Sequence, residues 1–273
     1  MPARISANPE INLALDGPWS LGEEAFSWIL AEIGKVSPKC ILEFGSGISS
    51  VRLALAFPEA SVLSVDHHAE FFRRTKQLAA ASGVKNLEVL LSPIRKRWLG
   101  AARYETYDLP GFDGRSFDAV LIDGPPGHFL FGREACLYVC YETIRKNGII
   151  ILDDHVRPME QLAVRNWQKR YPGSFDVTTE PIGHGLAVLR KRNRRRFLWS
   201  ISVSISNAAE WNRRSRKYSD TNNDNWAPLR LTRTIPRMAK GIIRRIPILH
   251  PILSDLRAKY HSRRKTKDQK RSS

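Results

Sequence analysis

Cysteine is scarce in this chain of 273 residues: Cys40, Cys136 and Cys140 are the only three. An odd and small set excludes a disulfide framework. Cys136, Val139, Cys140 and Ile144 fall at helical spacing on one apolar face, which reads as core rather than as a metal site. No apolar run reaches about 18 residues, so no membrane-spanning helix is expected. The opening "MPARISANPEINLALDG" has neither an apolar signal core nor a small-residue cleavage site. The expected compartment is therefore the cytoplasm, with a peripheral place at the inner membrane face left open.

Acid is sparse in one part of the chain. Residues 1–190 hold 21 Lys+Arg against 22 Asp+Glu, whereas residues 191–273 hold 23 against 5. The formal charge of +17 thus belongs to a C-terminal appendage on a near-neutral domain. Three parts are expected: an N-terminal arm over 1–19, a domain over 20–191 and a basic extension over 192–273. In the extension, "RTIPRMAKGIIRRIPILHPILSDLRAKYHSRRK" interleaves cations with Ile, Leu and Met. An anionic membrane surface, nucleic-acid phosphates and a solvated tail all suit it. Pro236, Pro247 and Pro251 break any long helix there.

Within the domain, apolar runs and helical periods alternate. Ser20 and Glu23 have capping-box spacing before Phe26, Ile29, Leu30 and Ile33. Strands are expected over 39–44, 61–65, 87–91, 117–122 and 149–152, and helices over 49–57, 69–83 and 132–148. In the last of these helices Arg145 and Lys146 occupy the final turn and Gly148 caps it. Residues 95–116 read as a short helix and loop, and Pro158 starts a helix carrying Met159, Leu162, Ala163 and Trp167. "SFDVTTE" and "GLAVLRK" have no room for a helix between them and must form an antiparallel hairpin. The expected fold class is α/β. Its core is a Rossmann-like, doubly wound, mostly parallel seven-stranded sheet with an antiparallel terminal hairpin.

Ligands of such sheets bind beyond the carboxyl ends of the strands. Asp66, Asp123, Asp153 and Asp154 all sit at such ends, as does the turn "ILEFGSGISS" with Gly45 and Gly47. Ser50 stands where a dinucleotide fingerprint needs its third glycine, and Glu43 beside the turn would repel a pyrophosphate. Asp66, 21 residues after Gly45, suits both hydroxyls of a ribose. A nucleoside with a cationic tail, S-adenosylmethionine, fits this set better than NAD.

"LEFGSGISS", "SVDHH", "FDAVLIDGPPG" and "NGIIILDDH", in that order, resemble the successive motifs of class I S-adenosylmethionine-dependent methyltransferases, and most of all bacterial LEFGSG-type members. The resemblance covers roughly residues 20–191. It implies that Glu43, Gly45, Ser46 and Gly47 line the methionine end, that Asp66 holds the ribose, and that His67 and Ser92 flank the adenine. The motif departs at Ser49, where many members carry a third glycine. The acids at 123, 153 and 154 resemble those of catechol-type O-methyltransferases, which implies Mg²⁺ or Mn²⁺ on Asp123, Asp153 and Asp154. Without a metal, Asp123, His155 or His128 would serve as general base, with Asp123 also against the cofactor. Structural capping by the acids remains a third reading.

The expected activity is O-methylation of a small hydroxylated, sugar or glycan acceptor. "DGPP" lacks the Asn/Asp-Pro-Pro-aromatic form common among N-methylators. An RNA methyltransferase using the basic tail, and a methyltransferase-like binding module without catalysis, are the alternatives. Trp19, Trp98, Tyr104 and Tyr107 suit a stacking wall or ordinary packing equally, and the sequence leaves the oligomeric state open.

Overall fold

The computed structural model describes residues 12–192, apart from 16, 18–20, 100, 101, 110 and 113. The expectations for the basic extension from residue 193 onward, for most of the N-terminal arm, and for Ser20 and Trp19 lie outside the described residues. The elements follow the alternation of the apolar runs. Helix α1 (Glu23–Gly34) leads to β1 (Cys40–Phe44), α2 (Ile48–Ala56), β2 (Ser61–Asp66), α3 (Ala69–Ala81) and β3 (Leu87–Leu91). Next come β4 (Ile94–Leu99), β5 (Ala102–Tyr107), β6 (Phe117–Ile122) and α4 (Gly132–Cys140). After a 3₁₀ turn over Tyr141–Thr143 the chain ends its described part with β7 (Ile144–Leu152), α5 (Pro158–Arg170), β8 (Phe175–Glu180) and β9 (Leu186–Lys191).

Seven strands form one sheet in the order β3-β2-β1-β6-β7-β9-β8. Pairing is parallel from β3 through β7, and β9 runs antiparallel to both β7 and β8. This is the Rossmann-like, mostly parallel sheet expected from the sequence, with its terminal hairpin where the sequence places it. Chain order reverses between β1 and β6, which opens the switch-point crevice beyond their carboxyl ends.

Period 2 along the strands sorts side chains onto two faces. Leu42, Phe44, Val120, Ile122, Ile150 and Leu152 pack with Cys136, Cys140 and Trp167 on one side. Ile41, Val62, Leu121 and Ile151 pack with Phe26, Ile29, Ile33 and Leu53 on the other. The same parity puts Glu43 beside Ile41, on the face that α2 covers.

Three local expectations are corrected. Residues 94–107 are not a helix and loop but a separate two-stranded antiparallel sheet, β4 with β5. Tyr104 and Tyr107 are fully buried in it, whereas Trp98 is half exposed, so no aromatic wall forms from the three. Helix α4 stops at Cys140 rather than running to 148. Ile144 pairs with Phe117 and Ile149 with Ala119, so residues 145–148 bulge out opposite Asp118 alone. Asp118 takes Arg145 Nη1 at 2.7 Å and the backbone N–H groups of Lys39 and Cys40, tying the bulge to the start of β1. Arg145 is thus an ion-pair partner, not a helix-end cation. Helix α1 begins at Glu23 behind Gly22, which offers no side-chain cap.

Candidate functional site

The turn after β1 is built on a close backbone crossing. Gly45 has φ +98°, and a Cβ there would lie 2.9 Å from the backbone nitrogen of Gly124. Only glycine permits both. Asp123 and Gly124 each donate their N–H to the Phe44 carbonyl, at 3.0 and 2.6 Å, which locks the ends of β1 and β6 together. Around Gly47, in contrast, a Cβ would meet nothing within 4 Å, so the turn has one open side.

Asp66, almost fully buried at the end of β2, organises that turn. One oxygen accepts the Ser46 N–H at 2.7 Å and the Ser46 hydroxyl at 2.8 Å, and the other accepts the His68 N–H at 2.8 Å. Thr75 of α3 supports the Ser46 hydroxyl at 3.2 Å. A carboxylate has about four acceptor positions, so Asp66 retains capacity for a ribose hydroxyl. His67 is half-buried, and burial holds its imidazole below the usual histidine range. Its ring packs edge-on against Phe129 at 5.2 Å, and the exposed His128 lies on the same Phe129 at 4.2 Å. Ser92, just past β3, is buried, and its hydroxyl finds no hydrogen-bond partner among the described residues. An orphaned buried hydroxyl costs about 1–3 kcal/mol unless a ligand or water satisfies it. That orphan stands where the motif resemblance puts the adenine.

Glu43 departs from its expected role. Its carboxylate has no exposure and is taken up by the hydroxyls of Ser49 at 2.7 Å, Ser64 at 2.8 Å and Ser50. Burial raises its pKa to about 7, against the opposing pull of the three hydroxyls. Glu43 therefore anchors α2 to β1 and β2 instead of facing the crevice as a counter-ion. The serines at 49 and 50, which replace glycine, are its partners. Their adjacency to an acid-bearing strand is the signal that points to such a pairing.

The acids at the ends of β6 and β7 do come together. One ligand oxygen from each of Asp123, Asp153 and Asp154 lies within 4.8 Å of the others. Asp154 adopts φ +61°, uncommon for a residue other than glycine, and its carboxylate joins the cluster. Sequence reasoning missed the cation among them. Arg133, in the first turn of α4, places Nη1 2.7 Å from Asp154 Oδ2 and Nη2 3.4 Å from Asp123 Oδ1. Its remaining donors reach the carbonyls of Asp153 and Pro125, each at 3.2 Å. Arg157 adds a second guanidinium on Asp154 at 2.8 Å. Burial raises the Asp123 pKa, an effect that Arg133 opposes and Asp154 reinforces. Burial and the two neighbouring carboxylates raise Asp153 to about 8, and Asp153 hydrogen-bonds Asp123. The sole sequence hint of Arg133 is a cation in "FGREA" shortly after the β6 motif.

His155 is not drawn into this cluster. Its backbone N–H donates to the Gly185 carbonyl at 2.8 Å, and burial and Arg165 lower the pKa of its imidazole. A cavity of about 400 Å³ lies at the opposite end of the strands, beside Lys35, Asp118, Lys146 and Arg190. There Lys35 and Arg190 both pair with Glu32, and Arg192 pairs with Asp176.

The chain is similar to solved methyltransferases. The precorrin-6y C5,15-methyltransferase of Geobacter metallireducens is 12% identical over 66% of this chain and 94% of its own, with a TM-score of 0.49. The SAH-bound methyltransferase of Podospora anserina is 21% identical over 62% and 78%, with a TM-score of 0.44. The O-methyltransferase of Bacillus cereus in complex with SAH is 13% identical over 61% and 80%, with a TM-score of 0.45. No protein-family model matches the chain, and no curated protein does. Among the described residues, no helix is long and apolar enough to cross a membrane.

Proposed function

We propose that the domain is an S-adenosylmethionine-dependent methyltransferase acting on the hydroxyl oxygen of a small acceptor, such as a sugar or glycan precursor. The observation that carries this reading is the row of groups along the switch-point crevice. Gly47 leaves the turn open, Asp66 sits beneath it with acceptor capacity, and Ser92 offers an unpaired buried hydroxyl. Asp66 would take ribose hydroxyls, and Ser92 and His67 would flank the adenine. When bound, the cofactor supplies an electrophilic methyl on a sulfonium.

Asp123 ends the strand next to the glycine turn and remains partly exposed, so it is the carboxylate that can meet the acceptor. It would orient the acceptor O–H and take its proton as the oxygen–carbon bond forms. The sulfur leaves as a neutral thioether. Beside it, Asp153 hydrogen-bonds Asp123, and Asp154 takes the guanidiniums of Arg133 and Arg157. His128, exposed near His67, is left at the rim of the crevice.

Calorimetry with S-adenosylmethionine tests the cofactor assignment. The wild type should bind at a 1:1 ratio and Asp66→Ala should lose most of that affinity. Undiminished binding by Asp66→Ala would remove the assignment, and absence of binding by the wild type would favour a module without catalysis. Labelled cofactor with fractionated cell extract then identifies the acceptor.

For the basic extension we favour an anionic membrane surface over RNA, because its cations are interleaved with Ile, Leu and Met. Liposome flotation and RNA retention at two salt concentrations decide between them. RNA retention alone, with a steep salt dependence, would support an RNA methyltransferase.

A further inference from the structure

We propose that Arg133 occupies the position that a divalent cation would take among Asp123, Asp153 and Asp154, so that this site works without a metal. The inference rests on the methyltransferase reading of the crevice and concerns what charges its acidic wall. The three carboxylates have the spacing and oxygen chemistry that suit a hard cation. The guanidinium, however, already bridges two of them, with Nη1 on Asp154 at 2.7 Å and Nη2 toward Asp123 at 3.4 Å.

Arg133 is not a loose surface cation that an ion could push aside. Its side chain is 8% exposed, and Nε and Nη1 are also committed to the Pro125 and Asp153 carbonyls. Arg157 Nη1 lies 2.8 Å from the same Asp154 Oδ2 that Arg133 holds, and the His184 imidazole lies 3.5 Å from the other oxygen. A metal would have to displace the guanidinium or share its oxygens with it. Displacement leaves a buried charge without partners. Sharing sets a dication within a few ångströms of a guanidinium.

Formal charge points the same way. The guanidiniums of Arg133 and Arg157 already balance two of the three carboxylates, so little negative charge is left for a dication to neutralise. Adding a dication would make the acidic wall positive. In the guanidinium arrangement Nη2 is the most loosely held donor, 3.4 Å from Asp123 Oδ1. Arg133 is thus a positioning residue that fixes Asp123 and can lend an N–H to the acceptor oxygen.

The test titrates Mn²⁺ into the full chain and follows the free-ion signal by electron paramagnetic resonance, with the product SAH titrated separately by calorimetry in chelator. The wild type is expected to leave the Mn²⁺ signal at its buffer level and to bind SAH undiminished in chelator. Arg133→Ala is expected to gain one Mn²⁺ site at least about a hundredfold tighter than any in the wild type. Asp153→Asn added to that variant should abolish the gain.

One equivalent of Mn²⁺ bound by the wild type, and lost in Asp153→Asn, overturns the proposal. So does an Arg133→Ala protein that folds and gains no site. Should Arg133→Ala fail to fold, the wild-type titration decides alone, since it needs no variant. Failure of SAH to bind would instead strike the methyltransferase reading and leave the Mn²⁺ result standing.

Discussion

Replacing Glu43 by Gln should make stability less dependent on pH, and the effect follows from one buried carboxyl. In the folded protein its pKa is about 7, raised from an ordinary 4.5 mainly by burial. A carboxyl with a raised folded pKa binds its proton more tightly when folded. Below about pH 4.5 both states hold the proton and the shift contributes nothing. Between about 4.5 and 7 the unfolded chain ionises first, so stability falls as pH rises, and above 7 the loss is complete. The 2.5-unit difference corresponds to about 3 kcal/mol.

Glutamine cannot ionise and retains an oxygen for the hydroxyls of Ser49, Ser50 and Ser64. Urea unfolding of both proteins at pH 5, 6, 7 and 8 reads the difference directly. Glu43→Gln should gain on the wild type by roughly 2–3 kcal/mol between pH 5 and 8, whatever its offset at pH 5. Parallel stability curves across that range would refute the burial of an ionisable Glu43 against α2.

Two further substitutions test the frame around the site. Gly45→Ala adds a Cβ at φ +98° and 2.9 Å from the Gly124 nitrogen, so it should cost about 2–4 kcal/mol in urea unfolding. A cost below about 1 kcal/mol would mean that the β1 and β6 ends do not cross so closely. Tyr107→Phe removes a fully buried hydroxyl that has no partner among the described residues, so the variant should be as stable as the wild type or up to about 1 kcal/mol more stable. A loss above about 1 kcal/mol would show that the hydroxyl is held by a bound water or ligand.

Much of the fold was legible because its signals are local. "CILEF", "SVLSVD" and "FDAVLI" are short apolar runs, and the helices between them carry apolar residues at helical spacing. Gly83 closes α3 as expected, with the Gly83 and Val84 N–H groups returning to Ala80 and Ala79. Local signals failed where one pattern supports two structures. "YETIRKNG" has the apolar spacing, terminal cations and glycine of a helix end, yet Ile144 is claimed by Phe117 across the sheet. The stretch 94–107 reads as polar and irregular, and its alternation serves a hairpin whose buried side lies against α4.

The sequence by itself determined the strand and helix succession, the glycine turn, and which acids stand at strand ends, because these depend on periodicity and on residues within a few positions of one another. Only the tertiary structure decided how each acid is used. Asp66 supports the Ser46 turn, Glu43 is enclosed by serines from α2 and β2, and Asp123 and Asp154 share Arg133. Charge pairing depends on distance through space and on exclusion of water, and neither is written in the order of residues until β1, β6, β7 and α4 converge.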